Sequence, residues 1–156
     1  MSNSDKKPHG IRTRAPVPLD RCGMAKASEI LGDRWSLLIL REAFYGVMRF
    51  ADMQADIGAP RSVLTARLAK LVDTGLLERF SYQEDGARAR QAYRLTDRGR
   101  QLGVVFLAMK QWWDDGEDQA PMVNFVAEGE DNPTRIIMAD SAGEEVSLAN
   151  IRIRLD

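Results

Sequence analysis

The chain has 156 residues, 44% hydrophobic and 29% charged, the make-up of a single globular domain with a real core. No apolar run approaches the roughly 18 residues a membrane helix needs, and the polar start lacks a signal peptide's apolar stretch, so a cytoplasmic protein is expected. With one cysteine (Cys22), one histidine (His9, in the polar start) and no phosphate-cradling glycine motif, neither metal, cofactor nor enzymatic chemistry is expected.

The net charge of −1 conceals a division along the chain. Residues 1–110 hold 19 Lys and Arg against 12 Asp and Glu, a net of +7, and residues 111–156 hold 3 against 11, a net of −8. A basic module facing a polyanion, followed by an acidic segment with another task, fits this split, and so does chance clustering on a solvated surface.

Residues 1–18, with Arg12, Arg14 and three prolines, read as a flexible arm. Residues 19–115 hold the ordered elements. From Asp20 as N-cap, Arg21–Leu31 sets Met24, Ala27, Ile30 and Leu31 on one helical face. Gly32 breaks the run, and Asp33 starts a second helix through Tyr45 whose Trp35–Leu40 stretch is apolar nearly all round, the pattern of a buried central helix. Arg49–Ile57 predicts a short amphipathic helix, Gly58-Ala59 a turn, and Pro60 the first residue of a helix running to Thr74. That helix turns Leu64, Leu68, Leu71 and Val72 inward and Arg61, Ser62, Thr65 and Ala69 outward, and Gly75 stops it.

The periodicity then shortens. Leu77–Tyr82 and Ala92–Leu95 predict a hairpin around Glu84-Asp85-Gly86, and Thr96 caps a long helix over Asp97–Trp113. The apolar residues of that helix cover more than one face, which calls for a second copy of the chain. Residues 116–156 form an acidic appendage in which Val123–Val126, Arg135–Met138 and Val146–Leu155 predict three short strands.

Two helices, a short helix, a turn, a helix, a hairpin and a helix make a winged helix-turn-helix: a mainly α architecture with a small β component (α+β), here carrying a short C-terminal β appendage. A helix fits the major groove of double-stranded DNA, and Arg61, Ser62 and Thr65 sit where short polar and Arg side chains reach base edges. Arg88 and Arg90, with no carboxylate between them, suit phosphate or minor-groove contact at the hairpin tip. Arg49 and Arg67 complete the candidate DNA contacts. A two-fold dimer would read an inverted-repeat operator. A winged helix that binds protein or RNA, with the acidic tail mediating assembly, is the competing reading.

Cys22, the stretch Gly32-Asp33-Arg34-Trp35-Ser36-Leu37-Leu38-Ile39-Leu40-Arg41 and Arg49-Phe50 resemble the opening of the HxlR family of bacterial regulators, relatives of the MarR type. Val63–Leu68, Gly75–Arg79 and Tyr93–Gly99 continue the pattern in order, so the resemblance spans Cys22 to Trp113. It implies a homodimeric transcription factor, usually a repressor, that dimerises through its first and last helices. The chain departs from the family in having Pro60 where Ser is frequent, in a longer wing without the usual proline, and in a tail free of the cysteines some relatives carry there. Cys22 occupies the place of a family cysteine that senses oxidants or electrophiles in some relatives; the alternative is a thiol packed as a small hydrophobe. Trp35, Trp112 and Trp113 are candidate walls of a small-molecule pocket, or else core and dimer packing.

Overall fold

The computed structural model describes residues 17–152 apart from positions 85, 87 and 119, so the expected arm up to residue 16 and the end of the third C-terminal strand (Ile153, Leu155) lie outside the described residues. Helices α1 (Gly23–Leu31), α2 (Arg34–Phe44), α3 (Phe50–Ile57) and α4 (Arg61–Asp73) precede the strands β1 (Leu77–Tyr82) and β2 (Arg90–Leu95), and α5 (Asp97–Gln101) and α6 (Gly103–Asp114) follow.

Asp33 starts α2 as its sequence position implies. Its carboxylate accepts from the Ser36 N–H (3.0 Å) and the Ser36 hydroxyl (2.7 Å), which leaves Ser36 fully buried yet satisfied. Asp20, by contrast, does not cap α1. It lies in a 3-10 turn over Leu19–Arg21, whose bonds to the Pro18 and Leu19 carbonyls draw it away, and Cys22 takes the N-cap place.

Gly58 adopts φ 66°, the left-handed backbone that an L side chain resists, and so turns the chain between α3 and α4. Pro60 is not the first residue of α4 but its N-cap: its backbone is extended, and its carbonyl accepts the Leu64 N–H at 2.9 Å. Behind α4, Leu64, Leu68 and Leu71 lose all contact with water against Ile39, Leu40, Met53, Leu76, Leu77 and Leu95. Val72, expected inward, is half-buried at the edge of this core.

The hairpin pairs Leu77 with Leu95 through Tyr82 with Arg90. Its second strand begins at Arg90 rather than Ala92, because backbone pairing continues past the last residue with an apolar pattern. On its other edge β2 meets the segment before α3: the Tyr93 N–H donates to the Met48 carbonyl at 2.8 Å, and Arg49 bridges Ala92. The wing is thereby fastened to the start of the helix-turn-helix.

The single helix expected over Asp97–Trp113 is two. Thr96 does cap it, accepting from the Gly99 N–H (3.0 Å) while its hydroxyl donates to the Gly75 carbonyl (2.6 Å). Gly99, however, presses so closely on the Leu76 carbonyl that a Cβ there would stand 2.1 Å from the oxygen. This contact holds α5 to the root of β1, and the chain re-aims at Leu102, whose N–H donates to Gly99 three residues back (3.1 Å) before α6 begins.

Beyond α6 the three expected strands are not formed among the described residues. Val126 bridges Pro133 and Ala139 bridges Glu145, each around a turn with a glycine at positive φ, and a 3-10 turn covers Leu148–Asn150. Val123, Val126 and Ile137 keep 41%, 51% and 53% of their surface exposed, so no apolar face is buried that would extend either bridge into a ladder. The segment is moored to α6 instead: the Gln111 amide donates to the Ile136 carbonyl (3.1 Å) and accepts from the Ile136 N–H (2.8 Å).

Candidate nucleic-acid interface

Arg61 and Ser62 form the first turn of α4, and with Thr65 they lie exposed, away from the buried Leu64, Leu68 and Leu71. Unpaired N–H groups and the helix dipole make that end of a helix attractive to phosphate. The Thr65 hydroxyl donates to the Arg61 carbonyl (2.9 Å) and keeps lone pairs to accept from a base edge. The Arg61 guanidinium lies over the Phe50 ring at 5.0 Å, a stacking that limits its rotamers. Beside it Arg49 lies over the Tyr82 ring at 4.9 Å and pairs with Glu84, so exposed basic groups run from α4 across the start of α3 to the hairpin. Arg88 and Arg90 extend the same series, both exposed on the wing.

Arg67 does not join them. It points back from α4 to α2, where its guanidinium stands 3.3 Å from the Asp33 carboxylate, and the pair ties the two helices together. Asp33 itself is pulled both ways: burial raises its pKa, but the hydrogen bonds from the Ser36 side chain and backbone, the Arg67 charge and the Trp35 N–H together hold it below the ordinary carboxylate value. Glu42, on the buried side of α2, moves the other way. Desolvation raises it, the Arg41 guanidinium partly offsets that, and Asp56 of α3 adds to the rise.

The candidate sensing residues separate. Cys22 is half-exposed at the N-cap of α1 with a free thiol. Trp35 packs against the core with the Arg34 guanidinium 4.7 Å over its ring, and Trp112 is 76% exposed, edge-on to Trp113. Neither Trp35 nor Trp112 lines the aromatic cavity that does exist. That cavity, about 430 Å³, opens between α2, α6 and the appendage, with Leu37, Phe44, Tyr45, Phe106, Trp113 and Phe125 among its walls. Leu37, Leu38, Arg41, Phe44 and Tyr45 recur at helical spacing as a second stripe on α2, distinct from the core stripe of Ser36, Ile39, Leu40 and Ala43. That second stripe was the available signal; Phe125, in a stretch patterned as a strand, offered none. Among the described residues no three His, Cys, Asp or Glu gather to hold a metal ion, and no helix is long and apolar enough to cross a membrane.

Residues 30–121 match the HxlR-like helix-turn-helix family. The chain is 38% identical over 132 residues to the uncharacterized HTH-type transcriptional regulators Mb3122 of Mycobacterium bovis and Rv3095 of Mycobacterium tuberculosis, spanning 82% of this chain and 82% of each relative. Among solved structures it is similar to PA1607, a protein proposed as a transcription factor, with a TM-score of 0.74 and 31% identity over 86% of this chain and 95% of that one. It is also similar to the reduced form of the transcriptional regulator YodB from Bacillus subtilis, with a TM-score of 0.52 and 28% identity over 62% of this chain and 95% of the other.

Proposed function

The chain belongs to the HxlR-like helix-turn-helix family and is a transcriptional regulator, and from that premise we propose that it is a dimeric, sequence-specific repressor, released from an inverted-repeat operator by a chemical signal. The observation that carries this reading is the division of α4 into three fully buried leucines and an exposed polar edge, Arg61, Ser62 and Thr65. The buried side fixes the helix rigidly, and the exposed side presents donors of the length and type that read the major groove. Arg61 and Thr65 read bases, and Arg88 and Arg90 hold the backbone on either side. The protein acts by binding in the cytoplasm and catalyses nothing.

The dimer is supported by α6, where Val104, Val105 and Trp112, outside the cavity, are between 39% and 76% exposed, a surface a second copy would cover. Two-fold pairing would set the two α4 helices about one DNA turn, roughly 34–36 Å, apart.

Binding of the protein to the DNA upstream of its own coding region, measured at two salt concentrations with light scattering in parallel, tests the reading. Tight binding to one sequence, falling steeply with salt, by a dimer supports it. Equal binding to all sequences, or none at low salt, overturns it in favour of a protein- or RNA-binding module.

A further inference from the structure

The cavity between α2, α6 and the appendage is not used by the DNA-binding face, and its walls are specific in character. Its floor is the tilted pair Phe44 and Phe106, centroids 5.1 Å apart at 46°. One side is the nearly parallel pair Tyr45 and Phe125, 6.3 Å apart at 18°. Leucines of α2 and α6, Met109 and Trp113 add further apolar wall. A volume of about 430 Å³ lies within the range of small-molecule sites, and flat aromatic walls favour a flat aromatic guest.

The charged groups at the cavity narrow the class further. Arg41 pairs with the buried Glu42 and stacks at 5.1 Å over Tyr45, and Lys110 pairs with Asp114. Each cation therefore already has its counter-charge, and an anionic guest would have to break a pair or enter without one. Desolvating a charge without a partner is expensive, so the site selects against it. The appendage that carries Phe125 to the cavity is moored to α6 by the two bonds between Gln111 and the Ile136 backbone, and Gln111 is not itself a wall.

We propose that this cavity is the effector site and that it takes a neutral, planar aromatic molecule, with the appendage serving as its outer wall. The effector role rests on the repressor reading given above; the binding site does not. Occupancy would bear on α2, whose N-cap Asp33 holds Arg67 of α4, so a guest that prefers one setting of α2 changes the setting of the DNA-reading helix.

The test is calorimetric titration of the full chain with 2-naphthol and with 2-naphthoate, two guests of one shape and different charge. Wild type, Phe125→Ala and Gln111→Ala are compared, with light scattering for oligomeric state and operator binding measured separately. The expected result is that 2-naphthol binds at least ten-fold more tightly than 2-naphthoate. Both substitutions should weaken it by a similar factor without changing the oligomer, and 2-naphthol should weaken operator binding. Failure of 2-naphthol to bind, equal or better binding of 2-naphthoate, or binding unaffected by Phe125→Ala overturns the site. A shift from dimer to monomer in Phe125→Ala makes a second copy of the chain the occupant and also overturns it. Binding of 2-naphthol without an effect on a working operator complex overturns the effector role, whereas a wild type that binds no operator at all counts against the repressor reading alone.

Discussion

In α4 three leucines, Leu64, Leu68 and Leu71, are wholly shielded from water, while in the segment beyond α6 Val126, Ile137 and Leu148 keep 51%, 53% and 76% of their surface exposed. Both regions carry apolar residues at regular spacing. The difference lies in what surrounds them. α4 has α2 in front, the hairpin root behind and Met53 of α3 above, so each leucine finds partners. The appendage has only a few anchors, the Gln111 amide on α6 and Phe125 against Tyr45 at the end of α2. Regular spacing yields a packed element only where a second element stands ready to cover it, and elsewhere a few polar bonds decide the path of the chain.

Substitutions in the two regions should therefore differ widely. Leu68→Ala is expected to destabilise the fold by about 2–5 kcal/mol, and Ile137→Ala to stay within about 0.5 kcal/mol, read as denaturation midpoints. Comparable losses at the two positions would show that the appendage has a core of its own. Gly99→Ala comes next, at about 1–3 kcal/mol, because its methyl meets the Leu76 carbonyl and the backbone must yield. A neutral outcome would mean that the junction of α5 with β1 is loose.

Asp33→Ala should cost about 1 kcal/mol at neutral pH through the lost cap, and more if Arg67 is left unpaired. The pH dependence sharpens this. The folded-state pKa of Asp33 lies below its ordinary value, so its contribution is complete above about pH 4 and is lost as pH falls through the folded value, where wild type and variant should converge. Glu42 has the opposite sign: its raised pKa favours the fold in acid and costs stability as pH rises through the folded value, so Glu42→Gln should flatten that decline. The smallest effects belong to the wing. Arg88→Ala and Arg90→Ala should each weaken binding alike on every sequence and lower the salt slope by about 0.9 per lost phosphate contact. An unchanged slope removes them from the interface.

Much of the body was legible because local rules and tertiary context agree there. Asp33 before an apolar run, Gly58 and Gly75 at helix ends, and leucines three and four apart all specify the elements that form. The break at Leu102 was hidden because the run after Thr96 keeps helical periodicity across it, and the close approach of Gly99 to the Leu76 carbonyl beside it joins residues remote in sequence. Arg67 looked like Arg61 in type; only the location of Asp33 turns it back toward the start of α2. The cavity was half visible, as a second stripe along α2, but its aromatic partner Phe125 comes from a segment some eighty residues away whose path no local pattern specifies.

The central claim is that α4 reads DNA with Arg61 and holds the fold with Arg67. Fluorescence anisotropy on an operator defined by footprinting, with each base pair varied in turn, compares wild type, Arg61→Ala and Arg67→Ala at two salt concentrations. The account predicts that Arg61→Ala loses roughly 1–3 kcal/mol confined to particular base pairs, while Arg67→Ala keeps the wild-type base preference and loses thermal stability instead. A uniform loss in Arg61→Ala with a reduced salt slope, or a changed base preference in Arg67→Ala, would contradict it.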